Sequence, residues 1–297
     1  MITVHQHYGT IKHIDIDERT VIIKRRNRKQ KIYFQRAMFQ HYLKYLHPNN
    51  ILVYALKVRE HPNKPYQKYT VKDVYKIVKK TPRKTITLYS YKSIVKQTQA
   101  FINSLDYKLF LDLEMSMHPY HVQKDFIQEV IQAGYVLVDK NDNVVETYKR
   151  FIQPTKHRTL TKRTLKFLKI NQEDVDQGVP YKTFYETFKN ILKTYSPAII
   201  VWGKNDHLAL QETSDVNDLP GFDQASRFIN LLKLHKNVFR LKNDLGLITA
   251  YQLYGYEADK QTHDALEDAL MTMHIFQGFK AYLNSKLEID FSKLPKH

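Results

Sequence analysis

Asp112 and Glu114 lie two residues apart in Leu109-Phe110-Leu111-Asp112-Leu113-Glu114-Met115, a run that is otherwise apolar. Residues at alternate positions of a strand point to one face, so this run sets two carboxylates side by side where its neighbours seek burial. One unpaired buried carboxylate is costly and two adjacent ones repel. Divalent cations neutralise both, which makes metal binding the chemistry the pair suits. An edge strand with one wet face is the reading that asks no chemistry of them.

Three later residues strengthen the metal reading. Ala198-Ile199-Ile200-Val201-Trp202-Gly203-Lys204-Asn205-Asp206 reads as a buried strand that breaks at Gly203 and delivers a carboxylate just past its end. His263-Asp264-Ala265-Leu266-Glu267-Asp268-Ala269 opens an amphipathic segment, with Leu266, Leu270, Met273 and Phe276 at helical spacing. Asp264 followed by Glu267 has the form of a capping box, which puts His263 in the entry loop and Asp268 inside the helix. Ala265 and Ala269 flank Asp268 with little bulk and are expected to leave room for a cation.

Asp-x-Glu, a distant Asp and His-x-Ala-x-x-Asp-Ala, in this order, resemble the DEDDh exonucleases of the ribonuclease H-like superfamily. Asp112, Glu114, Asp206 and Asp268 match the four acidic positions and His263 the histidine five residues before the last. Asp264 stands where the tyrosine subclass has its Tyr. The resemblance covers roughly residues 105 to 285 and implies a metal-dependent 3′-5′ exonuclease. On this reading the four acids hold two Mg²⁺ or Mn²⁺ ions, and His263 acts as general base on the attacking water. Oxygen donors and the absence of Cys favour these ions over zinc.

The sequences around the motifs refine the resemblance. Trp202-Gly203 before Asp206 is similar to the short-RNA-trimming and sporulation-inhibitor-like branches, and Met115-Ser116-Met117-His118-Pro119 replaces the Thr-Thr-Gly of proofreading enzymes. Both favour RNA over DNA. Met115 is either an apolar wedge against a terminal base or a core residue. Trp202 is expected in the core beside the site.

The elements that must position these residues are a strand carrying Asp112, a hairpin across Asp139-Lys140-Asn141-Asp142 and a helix around Thr161 to Leu168. A helix after Gly178-Val179-Pro180, a short strand around Phe228 to Leu231, and helices near Leu245 and Ala265 complete the set. Strands first and then alternation with helices predict an α/β fold, a ribonuclease H-like mixed sheet flanked by helices.

The first hundred residues fall outside the resemblance. Gly9 to Asp15, Thr20 to Lys24 and Lys31 to Phe34 read as short strands, Phe39 to Leu46 as a helix, and Ile51 to Leu56 and Tyr66 to Tyr75 as further strands. This order is weakly similar to an OB or cold-shock-like β-barrel. The expected domains are 1–78, a basic OB-like domain; 79–104, a partly helical linker with Lys92 to Phe101 as its helix; and 105–297, the exonuclease domain.

Charge is distributed unevenly. Residues 1–100 hold 22 Lys+Arg against 5 Asp+Glu, and residues 101–297 hold 25 of each, so the net +17 belongs to the first segment. Such a block suits nucleic acid or another anionic surface. Lys24, Arg25, Arg26, Arg28, Lys29 and Lys31 form its densest cluster, in an expected hairpin, with Tyr33, Phe34, Tyr66 and Tyr69 as nearby aromatic faces. Cationic loops and aromatic faces on an OB-like barrel suit single-stranded RNA or DNA; a solvated turn is the plainer reading.

Neither a run of transmembrane length nor a signal-peptide pattern is present in the sequence, so no membrane association and a cytoplasmic location are expected. Two alternatives remain at this level: a DNA exonuclease in repair, and a nucleic-acid-binding or regulatory protein that uses the fold chiefly for interaction, with protein partners unknown.

Overall fold

The computed structural model describes residues 6–120, 126–222, 227–241, 243–258 and 263–290. The chain forms two compact units, Met1–Gln97 and Thr98–His297. Among the described residues no helix is long and apolar enough to cross a membrane.

The first unit holds β1 (Gln6–Asp15), β2 (Thr20–Arg25), β3 (Arg28–Tyr33), α1 (Arg36–Tyr42), β4 (Ile51–Val58), β5 (Tyr69–Lys80) and β6 (Thr85–Ser90). Its strand order is β3-β2-β1-β4-β5-β6, and one parallel rung, Tyr33 to Thr70, joins β3 to β5 and closes five strands into a barrel. The alternation of apolar residues explains the closure. Ile11, Val21, Ile23, Ile32, Leu52, Tyr54, Val71 and Ile77 all turn inward and are buried, and α1 adds Phe39. β1 pairs with β4 over residues 6–10 and with β2 over residues 10–15. Gly9 sits at that change of partner, where any Cβ would overlap Ile23 and the Lys24 carbonyl.

The expected boundary at residue 78 falls inside β5, and the segment assigned as linker contains β6 and α2 (Tyr91–Asn103). The division between units lies within α2. Sequence reading ended the barrel too soon because Lys79, Lys80, Arg83 and Lys84 look like a solvated linker. They form the end of β5 and the β5–β6 turn, where Thr81 Oγ1 donates to the Lys84 carbonyl at 2.8 Å.

The second unit runs β7 (Lys108–Met115), β8 (Val130–Val138), β9 (Val144–Gln153), α3 (Lys162–Leu168), α4 (Gln172–Asp176), β10 (Val179–Pro180), α5 (Tyr181–Tyr195), β11 (Ala198–Val201), α6 (Asn205–Val216), β12 (Arg227–Asn230), α7 (Leu231–Phe239), α8 (Leu247–Leu253) and α9 (Ala265–Leu283). Its sheet order is β10-β9-β8-β7-β11-β12. β7, β8 and β9 are antiparallel, whereas β7–β11 and β11–β12 are parallel, the mixed sheet that strands followed by alternation predicted. β8 is buried along its whole length. One face packs on Tyr181, Phe184 and Phe188 of α5, and Phe276 of α9 meets Phe110 edge-on at 5.4 Å on the other.

The face that α9 buries differs from the expected stripe. Ala265, Asp268, Ala269, Thr272, Met273, Phe276 and Phe279 are buried, while Leu266 and Leu270 are half-exposed. At its start, by Ala265 and Ala269, close approach to the sheet selects small residues, and apolar bulk enters further along at Met273, Phe276 and Phe279.

Candidate functional site

The pleat of β7 separates its residues as alternation requires. Leu111 and Leu113 are buried in the core, while Asp112 and Glu114 are half-buried on the other face. The register with β8 shifts between Glu114 and Met115, an irregularity that re-aims side chains at the strand end.

Asp206 arrives from the neighbouring strand. β11 ends at Val201, Trp202 Nε1 donates to the Leu245 carbonyl at 3.1 Å, and Gly203 turns the chain at φ +124, a conformation L side chains rarely adopt. Asp206 then lies in the first turn of α6, where a carboxylate suits the helix dipole. Its Oδ1 accepts the Leu113 N–H at 3.0 Å, which fixes it to the residue that separates Asp112 from Glu114.

Asp268 is set by the start of α9. Asp264 caps the helix, accepting the N–H groups of Leu266 and Glu267 at 3.2 and 3.3 Å, and pairs with Lys149. The Ala265 N–H donates to Gln132 Oε1 of β8 at 2.8 Å. Gly134, the register partner of Asp112, permits this docking, since a Cβ there would overlap the backbone of Ala265 and Leu266. Ala265 and Ala269 are themselves fully buried, so their small size lets helix and sheet meet.

His263 precedes the cap in the left-handed region, φ +56. Its Nδ1 is 3.7 Å from Glu114 Oε1, and its ring lies 4.3 Å from Phe167 of α3. Glu114, His263 and Asp268 bring one ligand atom each within 4.8 Å of one another.

Three of the four carboxylates are raised, and Asp268 contributes to each rise. Burial first, then Asp206, Asp268 and Glu114, hold Asp112 well above its ordinary range. Burial and then Asp268 push Glu114 up to about 8. Burial raises Asp206 to about 7 against the backbone N–H bonds it accepts, with Asp268 adding to the rise. Burial and then Lys169 lower His263. Among the described residues, Asp112, Glu114 and Asp206 have no Lys or Arg ion-pair partner. Oxygen donors crowded with one imidazole and no sulfur fit a hard divalent cation, which supplies the missing positive charge.

A stability consequence follows for the metal-free protein. Carboxyls raised in the folded state favour it at low pH, and that contribution fades as pH climbs from the ordinary carboxylate range through about 7 and 8. The expected result is a melting temperature that falls across this range in chelator and recovers on adding Mg²⁺ or Mn²⁺. A flat profile in both conditions would show that the carboxyls are ionised throughout.

The remaining residues of the motifs and of the basic cluster, and the histidines outside the motif, divide by unit. In the second, Met115 packs at the margin of the core, and Trp202 is half-buried. His235 is fully buried among Trp202, Phe239, Tyr254 and Phe279, and burial drives it down to about 3. His118 meets Arg163, His157 stacks on Phe126, His207 packs on Phe228 and His274 stacks on Tyr256. His121 lies outside the described residues. Phe167, 45% exposed beside His263, was missed by sequence reading because an amphipathic helix gives no reason to single out one aromatic.

In the first unit, the β2–β3 hairpin and the β4–β5 loop flank a groove of about 950 Å³ lined by Arg25, Arg26, Arg28, Lys29, Lys31, Tyr66 and Tyr69 among others. Lys24 is exposed on the same hairpin, in register with Lys29. The Tyr66 ring lies 5.2 Å from Lys31 Nζ and 5.7 Å from Lys64 Nζ. Tyr33 is only 7% exposed and Phe34 is wholly buried, so these two belong to the core and leave Tyr66 and Tyr69 as the aromatic faces of the groove. The single Tyr33 rung at the barrel seam accounts for its burial.

Comparison with known proteins adds to this geometry. A protein-family model described as Exonuclease matches residues 109–276. The probable 3′-5′ exonuclease KapD of Bacillus subtilis (strain 168) is 32% identical over 170 residues, covering 57% of this chain and 82% of that protein. The 3′-5′ exonuclease crn-4 of Caenorhabditis elegans is 27% identical over 206 residues, 61% of this chain and 67% of that one. The crystallographic nuclease domain of 3′hExo, a DEDDh family member bound to rAMP, superimposes with a TM-score of 0.53 at 18% identity over 63% of this chain and 97% of its own.

Proposed function

The chain belongs to the exonuclease family, and from that premise we propose how its residues carry out 3′-5′ hydrolysis and on what substrate. Four carboxylates from β7, α6 and α9 converge beside one imidazole, and this convergence carries the reading. Asp112, Glu114, Asp206 and Asp268 would hold two Mg²⁺ or Mn²⁺ ions. When bound, the metals neutralise the phosphate and stabilise the leaving oxygen.

His263 receives the proton of the attacking water. Burial and Lys169 keep its imidazole neutral and able to accept at neutral pH. Its loop conformation and the Phe167 ring restrict its orientation. Met115 at the end of β7 and the exposed ring of Phe167 flank the terminal base. The substrate is single-stranded nucleic acid, RNA in preference to DNA, a choice supported by Ser116-Met117 after the first motif and Trp202-Gly203 before Asp206.

The barrel supplies affinity for the strand, with phosphates along the β2–β3 cations and bases against Tyr66 and Tyr69. Degradation of matched end-labelled RNA and DNA oligomers in Mg²⁺, Mn²⁺ or chelator tests the reading. Release of nucleoside monophosphates from the 3′ end, fastest with RNA and absent in chelator, is expected. Faster DNA degradation would reassign the substrate, and inertness on both would overturn the catalytic assignment.

Neutralising Arg25, Arg26, Arg28 and Lys29 together should weaken strand binding and flatten its dependence on log salt, by about 0.7 for each phosphate that is no longer neutralised. Rate at saturating substrate is the companion measurement. An unchanged salt slope would assign the groove to another anionic ligand.

A further inference from the structure

The charge neutrality of the second unit conceals a local excess. Between Thr155 and Lys169 stand Lys156, Arg158, Lys162, Arg163, Lys166 and Lys169, with no Asp or Glu among them. All but Arg163 are exposed, and Arg163 is half-buried against His118. The tract ends on α3, whose Phe167 touches His263, so the cations at this end border the catalytic centre.

The beginning of the tract is held by a buried acid. Glu129 is fully buried, and its carboxylate accepts the N–H groups of three successive residues: Thr155 at 2.6 Å, Lys156 at 3.0 Å and His157 at 3.1 Å. Backbone donors of this kind satisfy a buried carboxylate as well as a cation would. The same residue is tied to the catalytic strand. Its N–H donates to Ser116 Oγ at 3.0 Å and its carbonyl accepts the Ser116 N–H at 2.9 Å, two residues beyond Glu114. The next residue, Val130, donates to Thr213 Oγ1 of α6 at 3.0 Å, on the helix whose first turn bears Asp206. Further along, Thr161 caps α3 and donates to the Met117 carbonyl at 2.9 Å. The loop is therefore fixed to the strand and the helix that carry three of the four acids.

We propose that residues 155–169 form a rail for the phosphate backbone of a single strand leading away from the catalytic centre, and that Glu129 is the positioning residue that sets its first turn. The inference rests on the nuclease reading above and extends it. The catalytic unit grips its substrate through its own cations, independently of the basic barrel. Nucleic acid is the partner the chemistry selects, because a tract of six cations with no acid between them in the sequence, beside a phosphodiester-cleaving centre, matches a polyanion that must enter that centre.

The test uses the full chain with Mn²⁺ and two substrates: a long single-stranded RNA, and the p-nitrophenyl ester of thymidine 5′-monophosphate, which is too short to reach the rail. In the Lys156→Ala/Arg158→Ala double variant, KM for RNA should rise several-fold and the ratio of kcat/KM for RNA over ester should fall. The slope of log KM against log salt should flatten by about 0.7 per cation removed. Glu129→Gln replaces an acceptor oxygen by an NH₂ facing backbone donors and should shift the same ratio in the same direction, without any loss of a surface charge. Should Glu129→Gln fail to fold, the double variant alone decides the rail. An unmoved ratio and slope in the double variant would overturn the rail. A fall equal for RNA and ester in Glu129→Gln would reduce Glu129 to general support. Wild-type protein inert on both substrates would instead sink the underlying nuclease reading.

Discussion

Asp268→Asn and Asp112→Asn are each expected to reduce hydrolysis by about a thousandfold or more while leaving the protein folded. Metal coordination stabilises the charge of the transition state by several kcal/mol, and each 1.36 kcal/mol is tenfold in rate, so removal of a ligand costs orders of magnitude. Asparagine keeps the shape, so no cavity opens at Asp268, which is only 1% exposed. It also removes one carboxylate from a crowded set in which Asp268 raises Asp112, Glu114 and Asp206, and Asp112 is raised by all the others. The metal-free variants should therefore melt no lower than wild type near neutral pH, and Mn²⁺ should raise their melting temperature less. Near-normal turnover by either variant would remove the residue from the centre. Inactivity accompanied by a much lower melting temperature would point to damage in the fold.

His263→Asn should slow hydrolysis by about a hundredfold to ten-thousandfold, the usual contribution of a positioned general base. Asparagine is the suitable replacement because residue 263 has φ +56, which Asn tolerates better than most side chains. The proximity of His263 to Glu114 and Asp268, within 4.8 Å, admits a second role as metal ligand. The two roles separate in one titration. As base, His263 is dispensable for metal affinity and the rate deficit persists at saturating Mn²⁺. Recovery of the rate at high Mn²⁺, with weakened binding, would make His263 a ligand.

The placement of the five candidate residues was legible because their spacing reports the local geometry directly. Alternation put Asp112 and Glu114 on one face, the glycine break put Asp206 past a strand, and the cap at Asp264 set the phase of His263 and Asp268. The face of α9 was not legible. Leu266 and Leu270 look like the core, but Gly134 and the buried alanines bring the helix backbone onto the sheet and turn the leucines aside. Gly134 and Gln132 meet the start of α9 from more than a hundred residues away, and no local pattern marks such an encounter. In the barrel, Lys79 to Lys84 carried linker composition inside a hairpin, and Tyr33 looked like a surface aromatic until the closing rung buried it. The cationic tract at 155–169 disappeared by averaging, since its charge is cancelled by acids elsewhere in the unit, including those of the centre itself.

With metal held as proposed, the crowding of the carboxylates would make the centre an ion exchanger. Oxygens that retain protons near neutrality, with Glu114 at about 8 and Asp206 at about 7, must surrender them when a divalent cation enters, so protons and metal compete for the same seats. On the proposed metal assignment, occupancy at limiting metal is expected to depend on acidity as well as on concentration, falling on acidification and rising toward alkaline pH. The demand for free metal would thus be written into the proximity of four side chains.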